Sequence, residues 1–137
     1  MSKFFDAFRS AVDRASWEER TRILIVEDNN DLARVIAMLL RHCGFDVKTT
    51  HDGRLVLAVA RAFRPRYILM DIGLPGMDGA RVAEQLRQDQ EFEDTLIIAI
   101  STYGPHEHPA ITRSAQFDHH LTKPFSLEDL LSVLRSA

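Results

Sequence analysis

Five residues able to do polar chemistry stand where short apolar runs of this 137-residue chain end. Glu27 and Asp28 follow Arg22-Ile23-Leu24-Ile25-Val26, and Asp71 follows Tyr67-Ile68-Leu69-Met70. Ser101 follows Leu96-Ile97-Ile98-Ala99-Ile100, and Lys123 follows Leu121-Thr122. Taken singly, each acid has an ordinary explanation as a helix cap or the start of a turn. Gathered on one rim, three carboxylates would repel one another. A hard divalent cation relieves that repulsion, and Mg²⁺ suits two carboxylates, a backbone carbonyl and retained waters. A hydroxyl and a lysine in the same place complete the parts of a phosphoryl-transfer site: nucleophile, metal, hydrogen-bond donor and compensating cation.

Whether they meet depends on the elements that carry them. Apolar runs over 22–26, 45–49, 66–70, 95–100 and 117–121 alternate with helical patterns over 31–43, 53–63, 78–89, 107–114 (the weakest) and 126–136. Nearly unbroken apolar strands separated by amphipathic helices predict a parallel sheet covered on both faces, an α/β fold of five β-α units. All five prolines fall in connections, where a missing N–H does least damage. In such a sheet ligands bind outside the carboxyl ends of the strands, where Glu27, Asp28, Asp71, Ser101 and Lys123 all fall. On the first helix Leu32, Val35, Ile36, Leu39, Leu40 and Cys43 form the apolar stripe, with Gly44 as its stop.

Residues 1–20 stand outside the alternation. Phe4, Phe5, Phe8, Ala11, Val12 and Ala15 make one stripe of a further amphipathic helix, opposite Asp6, Arg9, Ser10, Asp13 and Ser16. The balanced charge favours packing on this domain, on a second copy (a homodimer through 1–20) or on a partner over a membrane surface; a linker to a longer protein is the alternative. The division is therefore 1–20 and 21–137. A net charge of −3 without a basic stripe argues against nucleic acid. The single cysteine, Cys43, suits a small core position and rules out an internal disulfide. No run approaches the roughly 20 apolar residues of a membrane span, and a cytoplasmic protein is expected.

The segments Ile23-Leu24-Ile25-Val26-Glu27-Asp28-Asn29, Ile68-Leu69-Met70-Asp71-Ile72-Gly73-Leu74-Pro75-Gly76-Met77-Asp78-Gly79, Ser101 and Lys123-Pro124-Phe125 resemble the response-regulator receiver family in order and spacing, over residues 21–137. The resemblance implies a flavodoxin-like (βα)5 fold with strand order 2-1-3-4-5. It implies Asp71 as phospho-acceptor, Asp28 as a direct Mg²⁺ ligand, Glu27 as a ligand through water and Gly73 as the source of a metal-bound carbonyl. Ser101 matches the hydroxyl that bonds the phosphoryl group, and Lys123 the cation beside it, next to a Lys-Pro bond that is cis in the family. The phosphodonor is then a histidine kinase or a histidine phosphotransfer protein. Such a chain is a phospho-acceptor switch, not a turnover enzyme; the rival reading is a binding module that is never phosphorylated.

Two positions depart from the family pattern: His120 stands where an aromatic residue is usual, and Thr102 where alanine is usual. The run from Gln116 to Pro124 is similar to receivers attached to hybrid sensor kinases. On the first helix, Met38 with Arg34, Ala37 and Arg41 is expected on the outer face, where the resemblance places the docking of the phosphodonor. His106, Glu107 and His108 are read as a solvated loop. With no room for an effector after residue 137, output is expected through contact with another protein, by relay to another phosphotransfer protein, or in a longer parent chain.

Overall fold

The computed structural model describes residues 20–73, 78–102 and 116–136. β1 (Arg22–Val26), β2 (Asp46–Thr50), β3 (Tyr67–Asp71), β4 (Leu96–Ser101) and β5 (His119–Thr122) form one parallel sheet in the order β2-β1-β3-β4-β5. α1 (Asn30–His42) and α4 (Leu127–Ser136) cover one face, and α2 (Val56–Phe63) and α3 (Gly79–Arg87) the other. The expected sheet order and layering are present. The strands are apolar throughout because each is buried on both sides, so alternate residues of one strand feed different cores. Ile23 and Ile25 pack under α1 and α4, whereas Leu24 and Val26 pack under α2 and α3.

Boundaries differ from the sequence reading by a residue or two. Asp71 and Ser101 close their strands instead of following them, and the segment expected to be helical over 53–63 opens with a 3-10 turn, Gly53–Leu55, before α2. Residues 1–19 of the expected amino-terminal helix, the expected helix at 107–114 and the His106–His108 loop lie outside the described residues.

α1 begins as its sequence suggests, with the Asn29 side chain accepting from the Leu32 N–H. It ends on Gly44 at φ 100°, with the Gly44 N–H on the Arg41 carbonyl and the Phe45 N–H on the Leu40 carbonyl. Both bonds of a Schellman stop are therefore made, and Phe45 and Leu40 share the core behind it. Gly44→Ala places a Cβ in left-handed backbone and is expected to cost about 1–2 kcal/mol, read as a lower urea midpoint at unchanged m-value.

The facing of α1 corrects the sequence reading. Val35 and Leu39, expected in the core, are 47% and 37% exposed, while Ala37, expected outside, is 1% exposed. Met38 is exposed as expected. The buried side is Ala33, Ile36, Ala37 and Leu40. Two alanines allow the helix backbone to approach the sheet closely, and that contact rotates the larger apolar residues to the flank. A wheel weighted by hydrophobicity misses this because alanine contributes little to it.

Candidate functional site

β1 and β3 are neighbours, but the following helices leave toward opposite faces, which opens a crevice at their carboxyl ends. Glu27 extends β1 by bonding its N–H to the Thr50 carbonyl, and is 3% exposed. Asp71, the last residue of β3, is 8% exposed, and the Gly73 N–H donates to its Oδ1 at 2.8 Å. The Ile72 N–H bonds the Ile100 carbonyl, which seats this turn on β4. Behind it, a Cβ on Gly79 would come within 2.8 Å of Ile72 Cγ2 and 3.1 Å of Ile72 Cα. Gly79 thus lets α3 start directly against the turn that carries Asp71.

Lys123 closes the site from the far end of the chain. Its backbone N–H bonds the Ser101 carbonyl at 2.7 Å, continuing the β4–β5 ladder, and its peptide bond to Pro124 is cis. From there Nζ donates to Asp71 Oδ2 at 2.6 Å and to Glu27 Oε1 at 2.8 Å. One ammonium thus bridges two buried carboxylates.

The charges settle unequally. Burial, then the hydrogen bond and charge of Asp71, raise the Glu27 carboxyl above its usual range despite Lys123. Burial acts the same way on Asp71, yet hydrogen bonds from Glu27, Lys123 and the Gly73 N–H, with the Lys123 charge, outweigh it and hold Asp71 below its usual range. Burial also opposes the Lys123 charge, but its two carboxylate partners prevail and raise it. Of the two acids, Glu27 is the one that keeps its proton to higher pH, and Asp71 ionises first.

That division sets a pH dependence. Between 4.5 and its raised folded value Glu27 holds a proton in the folded chain that it lacks when unfolded, so its contribution to stability falls as pH rises through this window. Asp71 works the other way: its contribution is present above 3.8 and is lost as pH falls through its lowered folded value. Glu27→Gln is expected to remove the first slope and keep the second, checked by urea unfolding across pH 3–7.

Asp28 stands next to Glu27 at the exposed rim. Its N–H donates to Glu27 Oε2, while its side chain is exposed at the rim. Among the described residues no three acidic, histidine or cysteine side chains form a ready metal cage. The donor set nevertheless fits Mg²⁺, which needs only one or two protein carboxylates and keeps several waters. Two buried carboxylates share a single ammonium, and a third stands at the rim, so the site carries excess negative charge.

Ser101 is buried, and its Oγ lies 3.0 Å from His120 Nε2. The sequence reading left His120 without a role; strand register explains the contact, since Ala99 faces His120 and Ser101 faces Thr122. Two further residues escaped sequence reasoning. His51 Nδ1 lies 2.7 Å from the Glu27 carbonyl, and because a carbonyl only accepts, this nitrogen carries the proton. The Arg87 guanidinium bonds the Phe92 and Thr95 carbonyls and Asp118, whose Oδ2 also accepts from the Ile97 N–H. It ties the end of α3 to the start of β5. Neither residue belongs to a local pattern that could have flagged it.

A doubly wound parallel sheet with its ionisable cluster at the switch point is the flavodoxin-like arrangement. Within that class, the chain belongs to the response regulator receiver domain family, whose model matches residues 23–135. The transcriptional regulatory protein TrcR of Mycobacterium tuberculosis is 32% identical over 114 residues, 83% of this chain and 44% of TrcR. The chemotaxis response regulator CheY4 of Vibrio cholerae superposes with a TM-score of 0.77 at 27% identity, over 85% of this chain and 98% of CheY4. The receiver domain of the sensor histidine kinase PA1611 of Pseudomonas aeruginosa, with a magnesium ion in its active-site cleft, superposes with a TM-score of 0.75 at 30% identity, over 85% and 96% of the two chains. The chain spans about half the length of the first curated relatives it matches. No helix among the described residues is long and apolar enough to cross a membrane.

Proposed function

We propose that residues 21–137 form a working receiver that accepts a phosphoryl group on Asp71 from the phosphohistidine of a histidine kinase or phosphotransfer protein. The observation that carries this reading is Lys123 Nζ held between Asp71 and Glu27. It keeps the acceptor carboxylate ionised inside the fold and supplies positive charge where a phosphoryl group must arrive. In the transfer the P–N bond of the donor breaks as a carboxylate oxygen of Asp71 bonds to phosphorus, and the imidazole leaves as the donor's product. Asp71, Glu27, Asp28 and the Gly73 carbonyl would be the groups to hold Mg²⁺, an ion that the PA1611 receiver coordinates in its active-site cleft; when bound it would offset the charge of the carboxylates and of the phosphoryl oxygens.

In this reading Ser101 supplies the hydroxyl that bonds the new phosphate, and its Oγ lies 3.0 Å from His120 Nε2. Acceptance therefore asks Ser101 to exchange His120 for a phosphoryl oxygen, which moves the end of β4 and passes the signal to protein contacts. The donor docks beside the exposed flank of α1, where Val35, Met38 and Leu39 lie open. Incubation with acetyl phosphate and Mg²⁺ tests the reading. A phosphoryl mass gain located on the Asp71 peptide and abolished by a chelator supports it, and a chain that gains no mass acts instead as a phosphorylation-independent binding module.

A further inference from the structure

β2 leaves the sheet at Thr50, beside the rim of the site. Up to that point β1 and β2 are joined main chain to main chain, and the last rung runs from the Glu27 N–H to the Thr50 carbonyl at 3.1 Å. The next rung of a parallel ladder would run from the Asp52 N–H to the Glu27 carbonyl. Here the chain turns at Asp52 into the 3-10 turn Gly53–Leu55, and the Asp52 N–H faces Thr50 Oγ1 at 3.5 Å instead. A side chain takes the vacated place: His51 Nδ1 donates to the Glu27 carbonyl at 2.7 Å. The neutral ring with its proton on Nδ1 and the doubly protonated ring make this bond alike.

That carbonyl and the Asp28 N–H are opposite edges of one planar peptide unit. On the far edge the Asp28 N–H donates to Glu27 Oε2 at 3.1 Å, while the other oxygen, Oε1, accepts from Lys123 Nζ at 2.8 Å. The two edges turn together, so a plane that rotated to give its carbonyl to water would swing the N–H away from Oε2. Donation to the carbonyl also polarises the N–H across the plane and strengthens the bond it makes. One line of contacts therefore runs from His51, through the Glu27–Asp28 peptide, to the carboxylate that shares Lys123 with Asp71.

We propose that His51 is a positioning residue of the site: by holding the Glu27 carbonyl where β2 no longer does, it aims the Glu27 carboxylate and fixes where Asp28 leaves the rim. The contact itself needs no metal. Its consequence, a tighter hold on Mg²⁺, rests on the acceptor reading above.

Amide NMR of the full chain tests the role. His51→Leu removes the donor at an exposed position, and His51→Asn restores one, an amide nitrogen the same number of bonds from the backbone as Nδ1. In the Mg²⁺-free chain the Asp28 amide proton of His51→Leu is expected upfield of its wild-type position, and that of His51→Asn close to it. The Mg²⁺ dissociation constant, read from the Gly73 amide during titration, is expected to rise about tenfold in His51→Leu, the low end for losing a group that orients a ligand, and to recover in His51→Asn. Arg54→Ala, which removes the Arg54–Asp52 ion pair of the same turn, is expected to leave both readings at their wild-type values. An unmoved Asp28 amide, an unchanged affinity in a chain that binds Mg²⁺, or no recovery in His51→Asn overturns the proposal. Equal losses in Arg54→Ala overturn it in favour of the turn as a whole. A wild-type chain that binds no Mg²⁺ overturns the acceptor reading alone, and the Asp28 amide then decides this proposal by itself.

Discussion

Asp71→Asn is expected to accept no phosphoryl group from acetyl phosphate or from a phosphohistidine donor, while changing stability by no more than about 1 kcal/mol. The loss is complete because an amide offers no anionic oxygen to bond phosphorus. The small effect on stability is a balance. Asp71 Oδ1 accepts from the Gly73 N–H and Oδ2 from Lys123 Nζ, and asparagine has a single oxygen for these two donors. One contact therefore becomes a donor facing a donor. Against that, the burial penalty on the Asp71 charge and the repulsion of Glu27 by that charge both disappear, and the repulsion is among the causes that raise the Glu27 carboxyl. With its charged neighbour gone, Glu27 should titrate lower in the variant than in the wild type. Mass spectrometry and urea unfolding on the same sample check both halves; a variant that unfolds before it can be assayed contradicts the balance described.

Lys123→Met should act on both properties at once. Removing one partner of a fully buried ion pair costs about 3–5 kcal/mol, because the remaining charge is left without compensation. The Lys123 side chain is 25% exposed, which allows partial rehydration, and about 2 kcal/mol is expected. The loss should shrink as pH falls, since the two carboxylates then share a proton in place of the ammonium. It should shrink too on adding Mg²⁺, which would stabilise the variant more than the wild type. Phosphoryl acceptance should slow by a factor on the order of 10², the effect of losing one preorganised positive group from a transfer site. At the alkaline end the sign is fixed by the raised lysine. Its contribution is whole below 10.5, is lost as pH rises through its folded value, and is absent in the variant. Lys3 and Lys48 are the only other lysines in the chain, so the difference between the two alkaline limbs isolates Lys123. Equal limbs would mean that the bridge contributes nothing to folding.

Much of this protein is determined locally and is legible in its sequence. Doubly buried strands must be apolar along their length, and helices that cover a sheet must carry a stripe, so the alternation and the placement of Glu27, Asp71, Ser101 and Lys123 at strand ends follow from residue order. The caps at Asn29 and Gly44 are local for the same reason: their partners lie within five residues. What the sequence could not determine is what depends on distance along the chain. Lys123 reaches Glu27 across 96 residues and Asp71 across 52, and only the pairing of β3, β4 and β5 brings it there. The Ser101–His120 contact is set by register, and the Arg87 ties by the packing of α3 against the turn before β4. The rotation of α1 was decided by how closely Ala33 and Ala37 approach the sheet, a property of two surfaces in contact that one helix cannot specify. That rotation exposes Val35 and Leu39, because burying the small side of the helix turns its larger apolar residues outward.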